Sequence, residues 1–125
     1  MGRKSRLTIQ KEAIEGQLTT FTSFFSAEDL YEKVKKKNSN IGIATVYRFL
    51  KSKRNIGALH QYTCEKKTLY SRSKLSHSHF TCEKCKKRTH FDLSSIDFVQ
   101  KKIPGQACHI QLDVYGICSD CIKKL

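Results

Sequence analysis

Residues 26–53 read SAEDLYEKVKKKNSNIGIATVYRFLKSK, and the fold turns on them. Ser26 opens a helix as its cap, Asp29 answers it three positions on, and Leu30 with Val34 falls on the inward face. The helix runs out through a group of lysines, cations placed where its dipole favours them. Residues 38–42 break it. The next helix carries Ile43, Val46, Phe49 and Leu50 on its buried side, and its offset turns Tyr47, Arg48 and Lys51 outward. A tyrosine between cations on a short exposed helix asks for a partner.

Working outward, LTIQKEAIEGQL (7–18) puts Leu7, Ile14 and Leu18 at helical spacing, with Thr8 as the N-cap. Downstream, GALHQYTCEKKTLYSRS (57–73) reads as a hairpin of two short strands around residues 65–67. Three helices followed by a two-stranded hairpin make a winged helix, and its third helix is the one such folds place in a major groove.

From His77 the chain becomes rich in cysteine and histidine. HSHFTCEKCKKRTHFDL (77–93) reads as strand, metal knuckle, strand. SSIDFVQKKI (94–103) has Ile96, Val99 and Ile103 in helical register, stopped by Pro104 and Gly105. CHIQLDVYG (108–116) alternates Ile110, Leu112 and Val114 with polar neighbours, the mark of a half-buried strand. The boundary between lobes is expected at residues 72–76, giving domains 1–73 and 74–125. The fold class is α+β: an N-terminal winged helix-turn-helix lobe followed by a small α/β lobe.

The chain of 125 residues has a formal net charge of +13, which points to a polyanion, above all nucleic acid. No apolar run is long enough to span a bilayer, and MGRKSRLTIQ (1–10) has no apolar core, so the expectation is a soluble, cytoplasmic protein with no membrane partner. In that reducing compartment six cysteines are metal ligands or core residues before they are disulfides. Cys82 with Cys85 and Cys118 with Cys121 form two Cys-x-x-Cys pairs, the donor set of a closed structural zinc site. Disulfides or thioredoxin-like redox pairs are the competing reading, without the βαβ context that the latter needs. A zinc here ties the chain end to the start of a lobe of about fifty residues, too small to hold without a staple. His77 and His79 alternate along one strand face, half of a second metal site that His60, Cys64 or His90 could complete; surface histidines are the alternative. Enzymatic signatures are missing: no His-Glu-x-x-His, no deaminase zinc motif and no glycine-rich phosphate loop.

The order TIQKEAI (8–14), FSAEDLYEKV (25–34), IGIATVYRFL (41–50), HSHFTCEKC (77–85) and LDVYGICSDC (112–121) resembles the ferric uptake regulator family across nearly the whole chain. The resemblance implies a homodimeric, metal-responsive bacterial repressor with a winged helix and a C-terminal dimerisation lobe. Bound divalent metal sets such a dimer into its DNA-gripping form. It implies that Tyr47 and Arg48 of the TVYR motif, beside Thr45, reach bases of a double-stranded operator. A tyrosine ring packs on thymine methyls and arginine hydrogen-bonds guanine, while Lys51, Lys53 and Arg54 suit phosphates. At two of the family's sensing positions stand Phe24 and Tyr70, which do not ligate iron, manganese or zinc well. The remaining set of imidazole and thiol, His77 and His79 with His60, Cys64 or His90, favours zinc and ties the wing to the second lobe across a hinge near Ser73. Ser78 and His90 replace acidic residues, and Asp97 stands at a later acidic position. Two other functions compete: the same fold with a degenerate sensing site, metal-independent or redox-responsive, and a zinc protein binding nucleic acid without sequence choice.

Overall fold

The computed structural model describes residues 5–74 and 76–125; residues 1–4 of the charged start, and Leu75 inside the expected boundary, lie outside them. The chain forms two compact units, Met1–Ser73 and Lys74–Leu125.

The first unit begins with α1 (Arg6–Leu18), α2 (Ala27–Lys37) and α3 (Ile43–Asn55), followed by β1 (His60–Cys64) and β2 (Lys67–Ser71). Ser5, not Thr8, caps α1: the Thr8 amide donates to Ser5 Oγ at 3.1 Å. Thr8 already sits in the first turn, where its hydroxyl pairs with that of Ser5 at 2.8 Å. Leu7 keeps its helical spacing but is 56% exposed, because this first turn projects beyond the core that buries Ile14 and Leu18. The capping box of α2 is complete. The Ser26 amide donates to Asp29 Oδ2 at 2.9 Å and the Asp29 amide donates to Ser26 Oγ at 3.1 Å. Ser26→Ala is expected to cost about 1 kcal/mol, read as a lower urea midpoint with an unchanged slope. A midpoint equal to wild type would show the box contributes nothing.

Leu30 and Val34 of α2 meet Val46, Phe49 and Leu50 of α3 in a core that Ile14, Leu18 and Phe25 complete. The α2–α3 pair is held by apolar packing, which fixes the outward face of α3. The hairpin turns on Glu65 and Lys66, with φ of 49° and 66°. Two consecutive left-handed residues are what a two-residue type I′ turn requires, and this sets Cys64 opposite Lys67. Phe25 and Tyr70 form a further bridge through amide–carbonyl bonds of 3.0 and 2.8 Å. The ring of Phe25 stacks on Phe21 at 4.5 Å and Phe24 meets Tyr62 edge-on at 4.9 Å. Phe24 and Tyr70 therefore serve the aromatic packing of this unit.

The second unit holds β3 (His77–Cys82), β4 (Arg88–Phe91), α4 (Asp97–Gln100), β5 (Gln111–Gly116) and α5 (Ser119–Lys123). Its sheet has the order β4-β3-β5, with β3 antiparallel to β4 and parallel to β5. The helix expected over 94–103 shrinks to one turn. On the periodic face Ile96 and Val99 are half-buried but Ile103 is 37% exposed, so the face loses its packing toward the end where the helix stops. The spacing gave no sign of α5: its five residues, with Cys121 among them, are too few for a periodic signal. Among its described residues this unit buries His77, Ser78, His79 and Cys82, and no large aliphatic or aromatic side chain.

Candidate nucleic-acid interface and metal centres

On α3, Tyr47, Arg48, Lys51 and Arg54 are exposed, while Thr45 and Lys53 are half-buried. Tyr47 stands one residue after buried Val46, so its ring projects from the helix and is 45% exposed. Its hydroxyl donates to Glu28 Oε1 on the first turn of α2 at 2.7 Å. That bond pulls the Glu28 carboxyl below its ordinary pKa and pushes the Tyr47 phenol above its own. Arg48 Nη2 donates to Thr45 Oγ1 at 3.1 Å, one turn back, which aligns the guanidinium along the helix. Lys53 is less available than its position suggests: Nζ lies 2.8 Å from Glu15 Oε2 and sits over the Phe49 ring. Arg54 Nη1 donates to Gln61 Oε1 of β1 at 2.6 Å. Lys51 thus offers the cation on this face most suited to phosphate.

The four cysteines Cys82, Cys85, Cys118 and Cys121 converge, their sulfur atoms all within 4.8 Å of one another. The parallel pairing does this. Cys82 ends β3 opposite Gly116, which ends β5, so each Cys-x-x-Cys leaves the same end of neighbouring strands. Lys86, with φ of 66°, turns the first knuckle back, and Cys118 caps α5 for the second. Cys82 Sγ lies 3.8 Å from Cys121 Sγ and Cys85 Sγ lies 3.9 Å from Cys118 Sγ. A tetrahedral ion with bonds of about 2.3 Å needs edges of about 3.8 Å, so the donor set fits zinc in type and in spacing. Cys82 Sγ accepts from the Cys118 and Cys85 amides at 3.4 and 3.5 Å, which lowers its pKa to about 6. Cys121 is held up to about 12, first by its bond to Cys118. Binding a cation in such a set releases the protons of its thiols, so occupancy rises with pH.

Three imidazoles form a second cluster in the same unit. The His77 and His79 rings lie 4.5 Å apart, His79 and His90 4.7 Å, and His77 and His90 5.5 Å. His77 and His79 share a face of β3, and His90 is the direct cross-strand partner of His79 on β4. Burial, then the neighbouring histidines, lowers the His77 pKa and keeps its ring neutral, the form that ligates. His79 Nδ1 donates to Asp113 Oδ1 on β5 at 2.7 Å. Asp113 lies opposite His79 in the parallel register, and the sequence held no local sign of this partner. His60 and Cys64 occupy the two ends of β1 in the first unit, roughly 13 Å apart along the strand at about 3.3 Å per residue.

The family model for the ferric uptake regulator family matches residues 3–115. The chain is 30% identical over 124 residues to the peroxide operon regulator of Bacillus subtilis, covering 95% of this chain and 86% of that one. It is 35% identical over 105 residues to the ferric uptake regulation protein of Neisseria meningitidis, covering 79% and 73%. Among solved structures it is similar to the zinc uptake regulator FurB of M. tuberculosis, at 29% identity and a TM-score of 0.53, over 93% of this chain and 95% of that one. The ferric uptake regulator of Vibrio cholerae matches at 29% identity and a TM-score of 0.58, over 89% and 90%.

Proposed function

Because this chain belongs to the ferric uptake regulator family, we propose that it is a metal-responsive, sequence-specific DNA-binding transcriptional regulator, a repressor and not an enzyme. The observation that carries this reading is α3: a tyrosine and an arginine pinned in outward positions on the second helix of a helix-turn-helix, within a chain of net charge +13. Residues 1–73 act as the DNA-binding domain and residues 74–125 as the dimerisation and metal-binding domain. Tyr47 and Arg48 read base edges beside Thr45, while Lys51 and, more weakly, Lys53 and Arg54 anchor phosphates. DNA is the site of action, which places the protein in the cytoplasm.

Two such domains must reach successive major grooves, and a homodimer supplies them. β5 is an edge strand, and Val114 and Tyr115 on it, with Ile117 and Ile122 beyond it, leave exposed apolar side chains for a second copy to cover. Cys82, Cys85, Cys118 and Cys121 would hold a structural zinc, whose role is to cross-link the ends of β3 and β5. His77, His79 and His90 would hold a regulatory divalent ion, and imidazole donors favour zinc over manganese or iron.

The test uses an operator selected from a random-sequence duplex pool. Arg48→Ala is expected to lose discrimination between operator and scrambled duplex by roughly 1–3 kcal/mol, the worth of a bidentate base contact. Lys51→Ala should weaken both duplexes alike and flatten the salt dependence by about one ion. If Arg48→Ala lost affinity equally for both duplexes, base reading by Arg48 would be wrong. If wild type selected no sequence at all, the protein would bind nucleic acid without sequence choice.

A further inference from the structure

Glu28 is an anion on a face that has every reason to be cationic. It stands in the first turn of α2, where the helix dipole stabilises a carboxylate, and the adjacent Asp29 already completes the capping box. Glu28 also bonds its own amide and the Ser26 side chain, although the capping box is complete without them. Its partner lies 19 residues away on α3: the Tyr47 hydroxyl, 2.7 Å from Glu28 Oε1. Both side chains are exposed, so the bond replaces water on each side and earns its keep only through what it orients.

Two physical consequences follow. First, a phenol donating to a carboxylate has its proton committed, so Tyr47 meets DNA with its ring face and not as a free donor to base acceptors. With its hydroxyl tethered to α2 and its Cα on α3, the ring is held at both ends and loses the rotamer freedom that an exposed tyrosine normally has. Second, the carboxylate occupies the space beside the ring. A phosphate cannot settle there without like-charge repulsion, which acts on every duplex, whereas the ring's packing acts only where the bases suit it. One side chain thus raises the ratio of specific to nonspecific binding by two routes.

We propose that Glu28 is a specificity-determining residue of the DNA-binding face, positioning the Tyr47 ring through its carboxylate and repelling phosphate beside it. This rests on the reading of α3 as the base-reading helix. Glu28 acts through Tyr47 and is a positioning residue in that respect; its charge acts directly on DNA.

Three variants separate the routes: Glu28→Gln keeps an acceptor for the tyrosine and removes the charge; Glu28→Ala removes both; Tyr47→Phe keeps the ring and removes the tether. Affinity is measured by anisotropy titration on the selected operator and on its scrambled counterpart across a salt series, with circular dichroism melts confirming that each variant folds. Glu28→Gln is expected to bind scrambled duplex about threefold more tightly at low salt, the gain vanishing at high salt. Tyr47→Phe, which removes only the tether, should lower the operator-to-scrambled ratio about fivefold; Glu28→Ala, which removes the charge as well, should lower it about fifteenfold at low salt, and the double variant Glu28→Ala/Tyr47→Phe should fall no further than Glu28→Ala alone, since the tether is already gone. Unchanged ratios in all three variants overturn the proposal, as does full additivity in the double variant. If Arg48→Ala loses discrimination while these variants keep it, Glu28 is merely a surface carboxylate and the reading of α3 stands. If wild type discriminates no operator, it is that reading which fails.

Discussion

Cys118→Ser is expected to cost the second unit its fold and the dimer with it. The reason is the composition of its interior. The first unit buries Leu30, Val34, Val46, Leu50 and more around one core. Among the described residues of the second unit, Cys82 is buried but no large aliphatic or aromatic side chain is. Fifty residues without an apolar core do not fold on burial alone. What remains is the cross-link. Zinc in such a four-thiolate set contributes on the order of 10–16 kcal/mol of apparent folding free energy at neutral pH, far more than a three-stranded sheet of this size supplies. Serine at 118 removes one of the four thiolates and leaves Cys82, Cys85 and Cys121 one donor short of a closed tetrahedral set. Metal analysis of the purified variant should find less than stoichiometric zinc, and light scattering should find no dimer. A zinc-free Cys118→Ser protein that is folded and dimeric would overturn the assignment.

Legibility from sequence followed how local each signal is. The capping box of α2 and the existence of the hairpin and of β5 are decided by residues within a few positions of one another and can be read directly, whereas the turn expected over 65–67 is Glu65–Lys66, with Lys67 already paired to Cys64, and Val114 is exposed instead of half-buried. The two Cys-x-x-Cys pairs are local as well, although their convergence depends on β3 and β5 lying parallel, which no spacing reveals. Ser5 capping α1 in place of Thr8 is a choice between two hydroxyls three residues apart, settled by where the helix begins. At 94–103 periodicity outruns packing: Ile103 keeps the register of Ile96 and Val99 but is exposed, and the helix ends at Gln100. Glu28 with Tyr47 and Asp113 with His79 are separated by 19 and 34 residues, and neither pair leaves a mark in the chain. Both lie at the candidate sites. Functional geometry here is carried by long-range side-chain bonds, and these are the contacts that sequence patterns do not encode.

Metal is expected to raise operator affinity of the wild type, and His77→Ala/His79→Ala is expected to abolish the rise. The two imidazoles sit on one face of β3 with His90 beside them, and Asp113 holds His79 by Nδ1, which leaves Nε2 as the atom directed to a ligand. Phe24 and Tyr70, at two positions where a sensing ligand is expected, are both committed to aromatic packing in the first unit. The donor set is therefore nitrogen-rich, and the response should be larger for zinc than for manganese or iron(II), which prefer oxygen. An ion can shift the population of the DNA-gripping form only by its differential affinity for that form, typically a coupling of about 1–3 kcal/mol, or roughly 5–150-fold in operator affinity. The measurement is operator affinity of wild type and double variant in chelated buffer and in buffer with each ion, the four-cysteine zinc being retained in both. Removing two of the three clustered imidazoles takes away most of this unit's donors, so the variant should give one affinity under every condition. Should it still respond as wild type does, the sensor lies elsewhere; should wild type itself give one affinity throughout, this chain regulates without sensing metal, and the three rings are packing and nothing more.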